Sequence, residues 1–312
     1  MFLTVLIPTY NRADILEKCL FALEKQNYLA DDFEVVVVND GSTDRTEEVL
    51  QASLDRGLLR LSWFYQRNSG QGVARNRGLK QARGDVILFL GDDIIPHPNL
   101  LREHVRVHEV YADLEVAVLG MIDWHPDLEL NEYMNWMVNG SSILGRFGGH
   151  QFAYEKLKRG ENPDYNFFYT SNLSLKRDFL GEAPFDEQFD RYGWEDIDLG
   201  YRLEKGKGMK LIFNEQAVGY HYHPMEESDL ARRMELIGQS VHLIHRKHPE
   251  LRKVPLFWKK FIFFILGSQM MLFGIRFLNK VFGNRFKALY YYALSKKYFL
   301  KGLKTGIIYK NI

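Results

Sequence analysis

Two short apolar runs, at residues 35–38 and 86–90, constrain the fold of this chain most strongly. Neither run contains a polar residue, which is the pattern of strands buried on both faces of a parallel sheet. Helical patterns separate these runs from two further predicted strands, and strands that alternate with helices at this spacing predict an α/β fold. We therefore expect a Rossmann-like, mixed but mainly parallel sheet with helices on both faces.

The predicted elements fill the first 90 residues. Apolar residues at helical spacing mark the helices, and alternating or continuous apolar residues mark the strands. The expected strands span residues 2–7, 33–38, 59–65 and 85–90, and the expected helices span residues 14–26, 44–54 and 72–82.

Polar residues follow each of the predicted strands. In a parallel sheet these segments lie beyond the carboxyl ends of the strands, which is where ligands bind in such folds. Several of them also begin helices, whose first backbone N–H groups attract phosphate. We therefore expect a site for a ligand with a phosphate and a base at this edge, although any one turn could be a simple connection. The four segments are residues 8–12, 39–42, 66–70 and 91–93.

Four acidic residues lie within nine positions in the second half of the chain, at Asp190, Glu195, Asp196 and Asp198. Acidic residues are favoured in the first turn of a helix, so a capped surface helix would explain this stretch by itself. A second acidic pair at residues 92–93 and two histidines, each after an apolar run, favour chemistry instead. Carboxylates and histidines together suit a divalent metal with a separate general base.

An ordered set of motifs carries a family resemblance. The first half is similar to the family 2 glycosyltransferases, which have the GT-A fold and use nucleotide-activated sugars. The second half resembles galactosyltransferase-type and chondroitin-polymerase-type enzymes, and the resemblance covers residues 3–225. The motifs are residues 5–12, 37–44, 72–78 and 89–93, followed by 170–177, 185–187 and 193–199.

The resemblance implies a set of residues that bind the donor. Thr9 and Asp40 would contact the base and the ribose, with Asp40 on the uracil edge. Arg75 and Asn76 would lie near the sugar-diphosphate. Asp92 would orient the ribose and the sugar.

The resemblance also implies a divalent cation, Mn²⁺ or Mg²⁺, held by Asp93. Gly91 stands where the family has the first aspartate of its Asp-x-Asp motif, so the chain departs from the family there. A histidine after a later strand would complete the metal site, and we expect His223 rather than His221. A cation that bridges two phosphates needs few protein carboxylates, which suits this small set.

The acidic stretch supplies the expected catalytic residues. By resemblance, Asp196 is the general base that takes the proton of the acceptor hydroxyl, and Glu195 positions the acceptor. Trp194 would stack on a sugar ring of the acceptor, or it could pack in the core.

Three histidines follow the acidic pair on a predicted helix. They are His97, His104 and His108. Their context indicates no chemistry, and we expect them on the helix surface.

The charge distribution divides the chain unequally. Residues 251–312 contain 13 Lys and Arg and no Asp or Glu. Residues 1–250 contain 28 Lys and Arg and 40 Asp and Glu. An uncharged run at residues 261–275 is shorter than the roughly 20 residues that span a bilayer. We therefore expect this run to form a helix that lies in the membrane interface, with a second, basic and aromatic-rich helix at residues 285–303. We expect a GT-A domain at residues 1–225 and a helical, membrane-associating segment at residues 226–312.

The partner expected for residues 255–312 is an anionic membrane surface. The alternatives are a helical lid on the acidic body and an oligomer interface. We expect no nucleic acid, because large apolar residues interrupt the basic ones. The single cysteine, Cys19, excludes an intrachain disulfide and favours a reducing compartment. The expected location is therefore the cytoplasm, peripherally at the inner face of the cell membrane.

These observations predict a metal-dependent, inverting glycosyltransferase. The expected donor is a UDP-sugar, and the expected acceptor is a glycan or a lipid-linked molecule. The alternatives are an enzyme that uses a GDP- or dTDP-sugar and a non-catalytic, nucleotide-binding scaffold with the same fold.

Overall fold

The computed structural model describes residues 1–139, 154, 157, 162–190 and 193–308. The chain forms two compact units, which we call the sheet unit and the helical unit. The sheet unit comprises residues 1–128, 154–190 and 195–223, and the helical unit comprises residues 129–153, 191–194 and 224–312.

Eight described strands form one sheet in the sheet unit. The order across the sheet is β3-β2-β1-β4-β7-β6-β8-β5. The first four strands pair in parallel, and β7 joins them to the second half of the sheet by antiparallel pairing on both of its sides. The strands are β1 (Leu3–Thr9), β2 (Phe33–Asn39), β3 (Leu61–Tyr65), β4 (Val86–Leu90), β5 (Ile94–Pro96), β6 (Val116–Trp124), β7 (Asn172–Lys176) and β8 (Lys210–His221).

The described helices are numbered here in chain order. Helix α5 and helices α8–α11 belong to the helical unit, and the others belong to the sheet unit. They are α1 (Ala13–Leu23), α2 (Thr46–Arg56), α3 (Gln71–Leu79), α4 (Leu100–Val110), α5 (Glu132–Asn139), α6 (Arg177–Leu180), α7 (Glu195–Lys207), α8 (Glu227–Lys247), α9 (Phe257–Leu266), α10 (Gln269–Phe282) and α11 (Lys287–Ile308).

The predicted parallel sheet is confirmed. Every residue of β1, β2 and β4 is buried, as expected for strands covered on both faces. Strand β1 lies between the other two, and Thr9 at its carboxyl end is in register with Asn39 at the end of β2. The polar segments that follow these strands therefore begin at one edge of the sheet.

The expectation that His104 and His108 lie on a helix surface is wrong, because both side chains are fully buried. The two rings share Ser174 of β7, whose Oγ lies 2.8 Å from His104 Nδ1 and 2.9 Å from His108 Nε2. His104 Nε2 also lies 2.9 Å from Asn172 Oδ1. Burial lowers the pKa of His104 to about 4 and that of His108 to about 3, so both rings are neutral at pH 7.

In the helical unit, α8 and α11 approach closely because glycines line the contact. A Cβ atom at Gly302 would overlap the carbonyl oxygen of Glu235, and one at Gly238 would overlap that of Phe299. Gly306, one turn after Gly302, meets the backbone of Gln239 in the same way. Small residues four apart allow two helix backbones to come this near, so α11 is an integral part of the helical unit.

The uncharged run at residues 261–275 forms parts of two helices rather than one. The break falls at Gly267 and Ser268, where a Cβ at Gly267 would lie 2.9 Å from Cα of Lys297. The Ser268 hydroxyl accepts a hydrogen bond from Met271 N at 3.3 Å and so caps α10. Among the described helices, none alone is long and apolar enough to cross a membrane. Helices α9 and α10 reach that length and hydropathy only together, across a bend of 51°.

The buried, neutral histidines of α4 predict a loss of stability in mild acid. Both rings have a pKa below the ordinary value of 6.5, so below that pH the folded protein binds fewer protons than the unfolded chain. The stabilisation is complete above pH 6.5 and is lost as the pH falls towards the folded pKa values. We expect wild type to lose on the order of 2 kcal/mol relative to His108→Leu between pH 6.5 and about 4.5. Urea denaturation at several pH values measures this difference, and a difference that does not change with pH would contradict the prediction.

Candidate active site

Asp92 and Asp93 follow β4 at the carboxyl edge of the sheet, and Arg12 holds them together. Arg12 Nη1 lies 2.9 Å from Asp92 Oδ1 and 2.5 Å from Asp93 Oδ2. Thr9, at the end of β1, donates its hydroxyl proton to Asp92 Oδ2 at 2.8 Å. Thr9 and Asp92, both predicted to bind the sugar donor, are thus in direct contact. The guanidinium of Arg12 is shared by the carboxylates of Asp92 and Asp93.

The two carboxyl groups differ in their electrostatic surroundings. Burial raises the pKa of Asp92 to about 6 against the opposing effect of Arg12, and the charge of Asp93 adds to this rise. Burial acts in the same direction on Asp93, but the positive charges of His221, Arg12 and His223 outweigh it and lower the pKa of Asp93. Asp93 is therefore the more strongly ionised member of the pair and the better ligand for a cation.

His221 is the histidine that contacts the predicted metal ligand. Its Nε2 lies 3.4 Å from Asp93 Oδ2, and the backbone N–H of Tyr222 donates to the carbonyl oxygen of Asp93 at 2.8 Å. The ring of His223 lies 6.2 Å from that of His221, and its charge lowers the pKa of Asp93. The assignment of His223 as a metal ligand stays a prediction, and His221 is an additional candidate.

The donor set suits a cation that is shared with a diphosphate. Within the part of the chain that the structure describes, no three His, Cys, Asp or Glu side chains form a metal-binding group. Mg²⁺ and similar cations are commonly bound by one or two carboxylates together with the phosphates of a substrate. Asp93 with a neighbouring histidine provides such a partial set, so these residues fit a metal that a diphosphate helps to hold.

Gly91, which stands where the family motif has an aspartate, lies close to the side chains of Asp93 and Ile94. A Cβ atom at this position would lie 2.9 Å from Asp93 Oδ1 and 3.1 Å from Ile94 Cγ1. An aspartate here would press on the Asp93 carboxylate and displace it. The glycine is therefore compatible with the position that Asp93 adopts.

Asp40 organises the loop between β3 and α3. Its Oδ1 accepts hydrogen bonds from Gln66 Nε2 at 2.7 Å and from the backbone N–H of Ser69 at 2.9 Å, and its Oδ2 accepts one from Gly70 N at 2.9 Å. Three donors therefore fix the carboxylate at the sheet edge. The role of Asp40 on the uracil edge stays a prediction.

Asp196 lies in a second polar cluster, at the start of α7. Both of its carboxylate oxygens lie 2.8 Å from the Thr170 hydroxyl, and Thr170 N donates to Oδ2 at 3.2 Å. Arg75 Nη1 lies 3.5 Å from Asp196 Oδ1 and 3.8 Å from Glu195 Oε1. The predicted residues Arg75, Glu195 and Asp196 therefore form one group, in which Asp196 keeps a quarter of its side chain exposed.

The two clusters are neighbours on the same edge of the sheet. Strand β7 pairs with β4 so that Asn172 is in register with Leu90. Beyond this pair, the N–H of Gly91 donates to the carbonyl oxygen of Ser171 at 3.1 Å. Gly91 directly precedes the pair that Arg12 bridges, and Ser171 directly follows the residue that holds Asp196. Sheet pairing thus brings together acidic residues that are about 100 positions apart in the sequence.

Asn76 has structural contacts in a different direction. Its side-chain amide donates to the carbonyl oxygen of Phe185 at 2.8 Å and accepts from Phe185 N at 3.0 Å, and it also donates to Glu187 Oε1 at 3.1 Å. These bonds fix the segment before the acidic stretch. The place of Asn76 at the sugar-diphosphate stays a prediction.

Trp194 belongs to the helical unit. Its indole N–H donates to the carbonyl oxygen of Ile237 at 3.1 Å, and Lys253 Nζ lies 5.6 Å from its ring. Its φ of 77° is rare for a bulky residue and follows Gly193, whose φ is 97°. Backbone strain of this kind is often found at functional sites, but stacking on an acceptor sugar stays a prediction.

Sequence reasoning gave no role to Arg12, Thr170 or Gln66, although each of them holds a predicted site residue. All three lie in polar segments after a strand or in a family-like motif, which is the signal that could have identified them. Their partners are distant in the chain: Arg12 is 80 positions from Asp92, and Thr170 is 26 from Asp196. Only the pairing of the strands shows which polar residue meets which carboxylate.

Comparison with known proteins identifies the family. The model of glycosyl transferase family 2 matches residues 4–180. Validoxylamine A glucosyltransferase of Streptomyces hygroscopicus subsp. jinggangensis is 31% identical over 271 residues, which cover 82% of this chain and 63% of the relative. Chondroitin synthase of Escherichia coli is 27% identical over 288 residues, covering 81% of this chain and 41% of that protein. The chain thus spans less than two thirds of the length of these relatives.

Solved structures share the fold at low sequence identity. The mannosyltransferase PcManGT of Pyrobaculum calidifontis, solved with GDP-Man and Mn²⁺, has a TM-score of 0.57 and 19% identity, over 99% of this chain and 74% of its own. TarS 1–349 of S. aureus, solved with UDP, has a TM-score of 0.53 and 19% identity, over 100% of this chain and 92% of its own. The expected GT-A fold is confirmed. The family model covers more than half of the sequence, so this chain belongs to the family 2 glycosyltransferases.

Proposed function

We propose that this protein transfers a sugar from a UDP-sugar to a hydroxyl group of a glycan or a lipid-linked acceptor, with inversion at the anomeric carbon. The observation that carries the proposal is the adjacency of two different carboxylate clusters at the carboxyl edge of the sheet. The Asp92–Asp93 cluster is suited to holding a cation that binds the negatively charged diphosphate of the donor. The Asp196 cluster is suited to removing a proton from the acceptor.

Asp196 is the general base in this proposal. The acceptor hydroxyl gives its proton to Asp196 while its oxygen attacks the anomeric carbon, and the bond from that carbon to the nucleoside diphosphate breaks. Thr170 orients the carboxylate through two donors, and the exposed part of Asp196 is accessible to an acceptor. Glu195 beside it positions the acceptor, and Arg75 neutralises part of the charge of both carboxylates.

The donor side of the site holds the nucleoside diphosphate. Asp93, with His221 or His223, would hold a divalent cation, which supplies charge neutralisation for the departing diphosphate. Thr9 and Asp92 orient the ribose and the sugar, and Asp40 reads the base. The relatives named for sugar transfer and the solved protein with bound UDP support a nucleotide-sugar donor.

A GDP-sugar is the second candidate donor. The mannosyltransferase with the same fold was solved with GDP-Man and Mn²⁺, which favours keeping this possibility. The same structure supports the use of a divalent cation. A non-catalytic scaffold is the remaining alternative and would bind nucleotide without turnover.

We further propose that the helical unit associates with an anionic membrane surface. Residues 251–312 contain 13 basic and no acidic residues, and exposed aromatic side chains cover much of α9 and α10. The contact between α8 and α11 makes deletion of residues 255–312 a poor test, because the deletion would expose the packed face of α8. Point substitutions on the surface are therefore preferable.

Asp196→Asn should abolish sugar transfer and leave nucleotide binding intact. An amide keeps the shape of the side chain but cannot accept the proton, and loss of a general base commonly lowers the rate about 10²–10⁴-fold. Asp178→Asn, at an exposed position on α6, is the matched control. Transfer is measured by release of the nucleoside diphosphate, and binding by thermal stabilisation. Retained transfer in Asp196→Asn would exclude this residue as the base.

UDP should stabilise the protein only when Mn²⁺ or Mg²⁺ is present. At 100 times its dissociation constant a ligand adds about 2.7 kcal/mol, which is several degrees in melting temperature for a chain of this size. UDP, GDP, CDP and dTDP are compared with and without metal, in wild type and in Asp93→Asn. We expect the metal-dependent shift to disappear in Asp93→Asn. A larger shift with GDP would change the donor class, and no shift with any nucleotide would favour the scaffold.

Arg12→Gln should bind Mn²⁺ more tightly than wild type when no nucleotide is present. Arg12 bonds to both carboxylates, and its positive charge repels any second cation that approaches them. We expect the dissociation constant of Mn²⁺ to fall about tenfold or more, as measured by electron paramagnetic resonance of the free ion. Arg45→Gln, which breaks an exposed pair with Asp14, is the control. Equal affinities in Arg12→Gln and wild type would show that Arg12 does not compete with the metal.

A further inference from the structure

The helical unit exposes large aromatic side chains along α9 and α10, which we call the aromatic row. Isolated apolar residues are normal on a protein surface, but a large contiguous patch marks an interaction site. Six aromatic residues are 55–86% exposed. They are Phe257, Trp258, Phe261 and Phe264 on α9 and Phe273 and Phe277 on α10.

Helix α10 places cations beside the aromatic row. Phe273 and Phe277 are four residues apart, and Arg276 and Lys280 follow each of them by three residues. At 3.6 residues per turn, the cationic row lies about 60° around the helix from the aromatic row. Leu272, on the remaining face, is buried in the unit. This division into buried, aromatic and basic faces is typical of a helix that lies at a membrane surface.

The basic face of α10 forms one wall of a cleft of about 300 Å³. Arg276, Lys280 and Lys287 contribute three positive side chains to the cleft, and Asn279 and Asn284 add amide groups. The cleft lies wholly within the helical unit. Its size and its donors suit a phosphate group with a short polar substituent.

The negative groups at the cleft leave a surplus of positive charge. Arg276 donates to the hydroxyl of Tyr290, which in turn donates to Glu227 Oε1 at 2.7 Å. Lys287 pairs with Glu132 at 2.5 Å. Lys280 has no carboxylate within salt-bridge distance among the residues that the structure describes, and its side chain is exposed.

We propose that this cleft binds the phosphate of an anionic lipid while the aromatic row of α9 and α10 enters the membrane interface. This inference rests on the proposed membrane association and identifies the surface and the lipid group that it uses. Two features on adjacent faces of one helix argue for a lipid rather than a free anion. A free phosphate ion would bind the cations but would leave the aromatic row exposed to water. A phospholipid layer would bind the cations through its phosphates and cover the aromatic row with its apolar part.

The test uses the full-length protein and co-sedimentation with vesicles. Vesicles of phosphatidylcholine alone are compared with vesicles that also contain phosphatidylglycerol. Lys280→Gln/Lys287→Gln removes two charges from the cleft, and Lys301→Gln/Lys304→Gln removes two exposed charges from α11. Both variants have the same net charge, so general attraction to an anionic surface is matched.

We expect the cleft variant to lose about 30-fold in its partition coefficient on phosphatidylglycerol vesicles, which corresponds to about 1 kcal/mol for each lysine near the surface. The α11 control should lose much less. Phe273→Ser/Phe277→Ser should weaken binding to both kinds of vesicle. Equal losses in the two lysine variants would overturn the cleft and leave only general electrostatic attraction.

Inorganic phosphate distinguishes the lipid from a free anion. We expect millimolar phosphate to leave wild type on the vesicles, because the aromatic row contributes to lipid binding and not to phosphate binding. Stabilisation of wild type by phosphate that is absent in the cleft variant, without vesicle binding, would overturn the lipid assignment. Stabilisation by UDP and metal is measured in the same variants without vesicles. A failure of vesicle binding is thereby distinguished from a failure of the proposed transferase.

Discussion

The parallel pairing of β1 with β2 on one side and β4 on the other determines where Thr9, Asp40 and Asp92 lie. Every residue of β1 is buried, so sliding the strand along its neighbours would bury polar residues at one end and expose apolar residues at the other. The ends of the three strands therefore coincide, and Thr9 and Asp92 meet across them. Strand β7 pairs with β4 in the opposite direction, which brings Thr170 and Ser171 to the same edge. Asp196, which Thr170 holds, is thereby placed beside the cluster of Thr9, Arg12, Asp92 and Asp93.

A buried carboxylate next to a largely buried one is unfavourable, and the neighbours of Asp92 and Asp93 show how the fold tolerates them. Removing a charge from water costs several kcal/mol unless hydrogen bonds and an opposite charge compensate. Arg12 provides that charge for both groups, and Thr9 and His221 add contacts on either side. A protein that needed only stability could replace this cluster with apolar residues of similar volume. A cluster of this kind at the carboxyl edge of a sheet suits a site that binds and releases a cation and a charged ligand.

The sequence alone predicted the parallel sheet and the polar segments at its edge, because these depend on local patterns. A run such as Val86–Leu90, with no polar residue, is compatible with few structures other than a doubly covered strand. His104 and His108 were misplaced because their partners on β7 are more than 60 positions away in the sequence. Helical spacing alone does not distinguish a histidine on a solvent-exposed face from one on a buried face. The break at Gly267 was missed for a similar reason, since the backbone that requires the glycine belongs to α11. Contacts between distant segments are thus the part of the site that pattern reasoning cannot supply.

The two units differ in how far their apolar residues are buried. In the sheet unit the apolar runs are fully buried, so water is excluded from every residue of β1, β2 and β4. In the helical unit, α9 is more apolar than most helices and yet has no buried residue. Burying an exposed phenylalanine contributes on the order of 2 kcal/mol, so a folded chain that leaves several such side chains in water forgoes a large stabilisation. The glycine-lined contact of α8 with α11 shows that this unit can pack closely where packing is required. The exposed row, with cations beside it, therefore suits the apolar and negatively charged partner that we propose for this unit.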